Sequence, residues 1–190
     1  GFAGTETMRS QRNWTSNVTT LSGDIGAAGN SDNCYHVVLS VNDGNTTVLD
    51  GFTISDGKAT GTGSISVEAD FTDRANGGGM MNPATSAPSV TNCLFSGNSA
   101  VNGGGVFNFQ SSQMLTNCLF SGNFASTFGG GIYNSSSNAI LMNCTFSGNL
   151  SGGGGGGIFN ISSNPTLTNC IIWNNRVGTI TGSAAANMTN

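Results

Sequence analysis

The densest group of ionisable side chains is Glu68-Ala69-Asp70-Phe71-Thr72-Asp73-Arg74, with Asp56 and Lys58 shortly before it. Carboxylates this close in sequence suit a calcium clamp, because hard cations take several oxygen ligands. They also suit sugar chemistry. Glycoside hydrolysis needs two carboxylates about 5 to 9.5 Å apart, and lyase-type proton abstraction needs a base beside a sugar acid. The spacing matches neither an EF-hand nor a calcium-binding β-roll nonapeptide. The competing reading is a solvated loop whose charges keep a neutral chain soluble. Asp56, Glu68, Asp70 and Asp73 are therefore the candidate metal ligands and calcium the candidate ion. No catalytic or cofactor-binding residue is assigned.

Elsewhere reactive side chains are sparse. His36 is the sole histidine, flanked by Tyr35 without a visible catalytic partner, and is expected to be structural. Cys93, Cys118, Cys144 and Cys170 recur once per period, without the short ligand spacings of a zinc site. They read as a buried column of free thiols acting as small hydrophobes, and Cys34 also reads as buried. Gly152 to Gly157 is no phosphate loop, since no Lys-Ser/Thr follows it. Asn-x-Ser/Thr at Asn13, Asn17, Asn45, Asn134, Asn143, Asn149, Asn160 and Asn187 would accept glycans in a eukaryotic secretory protein.

Charged residues make up 7% of the 190, against about 25% in an ordinary domain. All nine acids and four of the five bases lie at or before Arg74, and from Ala75 to Asn190 only Arg176 is charged. Any active site must therefore use the front of the chain. A net charge of −4 leaves no basic stripe for nucleic acid, and no apolar run has the length of a membrane helix.

The neutral stretch is a repeat. Thr91-Asn92-Cys93-Leu94-Phe95-Ser96-Gly97-Asn98 recurs from Thr116, from Met142 and, more loosely, from Thr168, with Cys-to-Cys steps of 25, 26 and 26 residues. A second block alternates with it: Gly103-Gly104-Gly105-Val106-Phe107-Asn108, then copies from Gly129 and Gly155, with an early copy from Gly77. Short β-branched and aromatic runs, punctuated by Gly, Asn and Ser, predict strands and no helix. A unit of this length cannot bury its own apolar face, so neighbouring units must stack. The reading is all-β, a parallel solenoid with coils about 4.8 Å apart.

Strand alternation assigns the faces. The Cys column, the Phe95, Phe120, Phe146, Ile172 column, and Val106, Ile132 and Ile158 point inward. Phe107, Tyr133 and Phe159 point outward as an aromatic column, a candidate contact surface for sugars or a partner. Asn98, Asn123 and Asn149, like Asn108, Asn134 and Asn160, suit left-handed turns and can bond one another from coil to coil. Leu49 to Ser55 aligns with Val90 to Ser96, placing Phe52 and Ile54 in the Cys and Phe columns. The expected organisation is one domain: irregular front coils over 1–48, a coil over 49–90 carrying an insertion over about 58–76, and regular repeats over 91–190.

These blocks resemble the FxxN and GGA-I/V/L repeats of polymorphic outer-membrane proteins and the wider set of bacterial right-handed parallel β-helix proteins. The front segment, including Gly1-Phe2-Ala3-Gly4-Thr5-Glu6-Thr7 and Leu49-Asp50-Gly51-Phe52-Thr53-Ile54, is similar to the opening of β-helix domains in large secreted bacterial proteins. The resemblance implies a right-handed, pectin-lyase-like fold, a secreted or cell-surface location, and a piece of a longer solenoid. It also implies a non-enzymatic structural or adhesin role, with carbohydrate, a protein surface or further copies of itself as partner. The alternative is a polysaccharide-active or calcium-dependent sugar-binding β-helix working from the 56–74 region. An ice- or mineral-binding face would want a regular Thr-x-Thr array, which Met142 interrupts.

Overall fold

The computed structural model describes residues 5, 7–26, 32–67, 70–182 and 187–189. Each period closes one coil, and matching strands of successive coils pair parallel in register, Phe95 on Phe120 on Phe146. Four sheets result. Sheet 1 stacks Thr19–Ser22, Phe52–Ser55, Leu94–Ser96, Leu119–Ser121, Thr145–Ser147 and Ile171–Trp173. Sheet 2 is the shortest, with Lys58–Ala59, Ser99–Asn102, Phe124–Phe128 and Leu150–Ser151. Sheet 3 holds Val38–Leu39, Met80–Asn82, Val106–Phe109, Ile132–Ser135, Ile158–Ile161 and Ile180–Gly182. Sheet 4 holds Val48–Asp50, Ser89–Thr91, Met114–Thr116, Ile140–Met142, Thr166–Thr168 and Asn187–Thr189.

A full coil runs from sheet 4 through 1 and 2 to 3, the expected solenoid. Among the described residues the one antiparallel pair is the hairpin Ser64–Val67 with Asp70–Asp73.

The interior is built from columns. Phe95, Phe120 and Phe146 are fully buried, with ring centroids 4.8 and 4.6 Å apart and planes within 3°. That separation exceeds van der Waals contact between flat rings, so they stack offset, a favourable aromatic geometry. Cys93, Cys118 and Cys144 are buried beside them, and Val106, Ile132 and Ile158 close the sheet 3 side. Cys170 and Ile172 in the last regular coil are half-buried.

The turns differ from the sequence expectation in one respect. In the Ser-Gly-Asn turns the left-handed residue is the glycine, at φ 67° for Gly97, 65° for Gly122 and 68° for Gly148. Left-handed asparagines sit instead before the cysteines: Asn92, Asn117, Asn143 and Asn169, all at φ 52–54°. Glycine at the bend frees Asn98, Asn123 and Asn149 to point inward. Each donates from Nδ2 to the Oδ1 of the next, at 3.0, 2.9 and 2.9 Å, ending on Asn175. The other Nδ2 hydrogen goes to a carbonyl one coil back, Asn123 to Phe95 O at 2.9 Å, and Oδ1 also accepts the backbone N–H of the preceding asparagine, Asn98 to Asn123 at 3.1 Å. Two donors and two acceptor sites per amide are filled, as complete burial requires. A second buried chain runs Asn82, Asn108, Asn134, Asn160 at 2.7, 2.9 and 2.9 Å.

The triple glycines perform two different tasks. The first of each, Gly103 or Gly129, has φ near +65° to +70°. The second lies under backbone of the next coil: a Cβ on Gly104 would sit 2.4 Å from Phe124 O and 2.6 Å from Gly130 O.

Two stability outcomes follow. Gly104→Ala should cost about 3 kcal/mol, the upper end for overpacking against rigid neighbours. Asn123→Asp turns a donor toward Phe95 O and Asn149 Oδ1 into an acceptor in a dry interior and should cost about 3–5 kcal/mol, whereas exposed Asn117→Asp should cost under about 1 kcal/mol. Urea midpoints of the three variants check both.

Candidate functional site

Three acids of the front half, Asp50, Asp56 and Asp73, are tied into the scaffold. Asn143 donates to Asn117 Oδ1 and Asn117 to Asn92 Oδ1, both at 3.2 Å, and Asn92 donates to Asp50 Oδ1 at 2.9 Å. Asp50 is paired in turn with Arg12, whose guanidinium lies 5.6 Å from the Trp14 ring centroid. A second outer chain runs from Asn102 to Asn76 Oδ1 at 2.9 Å and from Asn76 to Asp73 Oδ2 at 3.3 Å. Both amide chains therefore stop on a carboxylate, a group with acceptor sites only.

Of the proposed calcium ligands, Asp73 also accepts the Ala75 N–H at 2.9 Å, and Asp56 accepts Ser55 Oγ at 2.6 Å and Ser22 Oγ at 3.2 Å. Asp56 stands at the corner between sheets 1 and 2 and Asp73 at the foot of the hairpin, so each serves its own turn. Glu68 lies outside the described residues, as does the side chain of Asp70. Among the described residues no three His, Cys, Asp or Glu side chains converge on one point.

The insertion is the Ser64–Val67 and Asp70–Asp73 hairpin. Ala59 pairs with Ala100 and Asn76 bridges Asn102, while Val101 N donates to Ala75 O at 2.8 Å. Lys58, Ala59 and Asn76, which the sequence reading put inside the insertion, thus belong to the coil. Where the hairpin leaves, a cleft of about 440 Å³ opens between Asp32, Asn33 and Tyr35 on one wall and Lys58, Thr60 and Gly61 on the other. The Arg74 guanidinium lies 5.5 Å from the Tyr35 ring centroid, and a side chain on Gly61 would strike that ring at 2.5 Å. His36 donates from Nδ1 to Gly77 O at 3.0 Å, leaving Nε2 buried without a partner. Burial holds its pKa below the ordinary 6.5.

A second, more apolar cleft of about 270 Å³ separates Trp14 and Val18 from Phe52 and Leu94 on the outside of sheet 1. Sequence reasoning missed it, because Trp14 lies in the front segment, outside every repeat.

The aromatic column exists, but it is not an open strip. Phe107 stacks on Tyr133 at 4.9 Å and Tyr133 on Phe159 at 5.2 Å, and Phe128 covers Phe159 at 4.4 Å. Phe107 is only 7% exposed. The rings bend over the glycine turns: a Cβ on Gly103 would sit 2.9 Å from the Phe107 Cβ. With ring faces turned on one another, sugar stacking there is confined to edges.

All five cysteines are free thiols. Contact with the Cys118 thiol, then burial, pushes Cys144 up to about 12, and contact with Cys144 raises Cys170. Burial raises Cys93 and Cys34. Asn134, Asn149 and Asn160 are fully buried ladder members, where the fold leaves no room for a glycan.

Residues 32–190 match the family model described as the right handed beta helix region. The chain belongs to the right-handed β-helix family. No curated protein and no solved structure matches it. Members of the β-helix fold include pectate lyases as well as non-enzymes, so side chains, not architecture, must decide function.

One pH effect follows from the His36 position. The unfolded chain takes up the imidazole proton before the folded β-helix does, so the contribution of buried neutral His36 is complete above about pH 6.5 and is lost as the pH falls below it. Melting temperature should drop between about pH 7.5 and 5, and His36→Gln should flatten that part of the profile.

Proposed function

We propose that this β-helix is a non-enzymatic structural or adhesin-type element of a secreted or cell-surface protein, working through its outer faces. The observation that carries the reading is the engagement of the ionisable groups. Asp50 and Asp73 stop amide chains, Asp56 holds two serines, and His36 is bonded to a backbone carbonyl. Asp50 and Asp73 thus have structural partners that account for their presence, and no two of these groups share one substrate-sized site with His36 among the described residues.

The outer faces supply what a contact protein needs. On sheet 1 an outward column of Leu94, Leu119, Thr145 and Ile171 runs beside a column of Ser55, Ser96, Ser121 and Ser147. On sheet 4 Met114 and Ile140 are 40% and 41% exposed. These faces carry no charged side chain from Ala75 to Phe159, which favours contact with uncharged surfaces, including other copies of the same chain.

A second reading keeps a specific observation in its favour. The cleft between Tyr35 and Lys58 combines an aromatic ring, a cation and amide groups at the mouth of the insertion, the composition of a sugar subsite. It would make the protein a carbohydrate-binding β-helix, with or without calcium.

Three measurements separate the readings. The structural role predicts no turnover of pectin, alginate or other acidic glycans, a melting temperature unmoved by calcium, and reversible mass increase with concentration in sedimentation velocity. Glycan cleavage, or a calcium-dependent rise in melting temperature, would sink the structural role in favour of the second.

A further inference from the structure

The inner amide chain lacks its first donor. Asn82, Asn108, Asn134 and Asn160 share one register position in sheet 3, and each Oδ1 after the first receives the Nδ2 of the coil before it, at 2.7, 2.9 and 2.9 Å. In the front coil that position falls to Ser40, because Val38 and Leu39 pair with Met80 and Met81 and the Ser40 N–H donates to Met81 O at 3.1 Å. Serine is two heavy atoms shorter than asparagine and has no amide to offer. Its hydroxyl donates to Asp43 Oδ2 at 2.7 Å, so only lone pairs are left on Ser40 Oγ. Asn82 is fully buried and Ser40 nearly so, and Asn82 Oδ1 has no hydrogen-bond partner among the described residues.

A further oxygen belongs to the same corner. The Ala87 N–H donates to Asp43 O and Thr85 Oγ1 to Asn42 Oδ1, both at 2.8 Å, so the turn that follows Asn82 lies against residues 42–43. Within that turn Ser86 is fully buried, and its Oγ is likewise without a partner among the described residues. Buried polar groups in native proteins are satisfied, yet here acceptors meet acceptors. The missing occupant stands where an amide nitrogen stands in every later coil, and it must be electropositive on all sides.

We propose that a potassium ion takes this place, held by Asn82 Oδ1, Ser40 Oγ, Ser86 Oγ and the Asp43 carboxylate. Carbonyl oxygens can replace the hydration shell of potassium, and its contact distance to oxygen is close to the 2.7 to 2.9 Å that the amide nitrogen keeps in the later coils. Calcium draws its ligands in to about 2.3–2.6 Å and favours several carboxylates. Asp43 is the one acid of this group, so a single positive charge is balanced and a double one is not, which matters where water is excluded. The ion therefore starts the inner chain at its front end, as Asp50 and Asp73 stop the outer ones.

The test crystallises the chain from rubidium chloride, rubidium standing in for potassium, and reads anomalous scattering at the rubidium edge. Melting temperatures in potassium, sodium and choline chloride at equal ionic strength accompany it. The expected result is a rubidium ion bonded to Asn82 Oδ1, and a melting temperature about 5–10 °C higher in potassium than in choline, the shift that a ligand at a hundredfold its dissociation constant gives a chain of this length. Sodium should give a smaller rise. Ser40→Asn supplies the missing amide, so it should melt in choline as the unaltered chain does in potassium and no longer respond to the cation. Asp43→Asn should lose the response without that gain. Water alone at the site, an adventitious ion only, or equal melting in potassium and choline would overturn the proposal. So would a rise as large in sodium, or a potassium response kept in full by Asp43→Asn.

Discussion

Coil-on-coil register is the constraint on which everything else here depends. A strand pair slipped by one residue would turn every inward side chain outward, so Phe95, Phe120 and Phe146 could not stack and the cysteines could not form a file. Parallel backbone bonds alone do not fix that register strongly, because they repeat at each residue pair along the strand. The buried amide chains do. Asn123 finds its four partners, Asn98, Asn149, the Asn98 N–H and Phe95 O, only when three coils are aligned. A displaced coil would leave several buried donors and acceptors unpaired, each at a cost of about 1–3 kcal/mol. The polar interior thus selects one alignment, and the apolar columns supply most of the stabilisation once it is reached.

The same constraint explains where the charges went. An amide chain can pass its hydrogen bonds from coil to coil indefinitely, but it needs an acceptor at one end. The outer chains meet that need with Asp50 and Asp73, in the coil where the regular repeats give way to the front segment and the hairpin. Arg12 then neutralises Asp50 from a segment lying outside the stack. Asp50 and Asp73 are therefore, in place, the ends of a hydrogen-bond network.

The solenoid, the inward columns and the coil length could be read from the repeat, because a period of 25 or 26 residues with fixed strand parity permits few other structures. The alignment of Ile54 with Phe95 was legible for the same reason. Four things were not. The division of labour in Ser-Gly-Asn, with glycine bending and asparagine turned inward, is invisible to a rule that credits either residue with left-handed backbone. The shielding of the aromatic column depends on the close approach of the glycine turns to Phe107 and Tyr133 and on Phe128, whose side chain no parity argument links to Phe159. The edges of the insertion were misplaced by a residue or two, since Lys58 and Asn76 look like loop residues until their partners Ser99 and Asn102 are seen. Charge density points to Asp56 and Asp73 as ligands but says nothing about which turns the acids already serve.

The coil geometry also sets what such a chain is economical for. It advances about 4.8 Å for every coil, where the same 26 residues wound as an α-helix would reach about 39 Å. As a spacer it is therefore about eightfold less effective than a helix of equal length. What it gains instead is breadth: each coil adds a full circuit of outward side chains at fixed spacing, without disturbing those already in place. Selection acting on such a chain can alter one column of its exterior, for instance Leu94, Leu119, Thr145 and Ile171, as a set, while the interior columns keep every position in register.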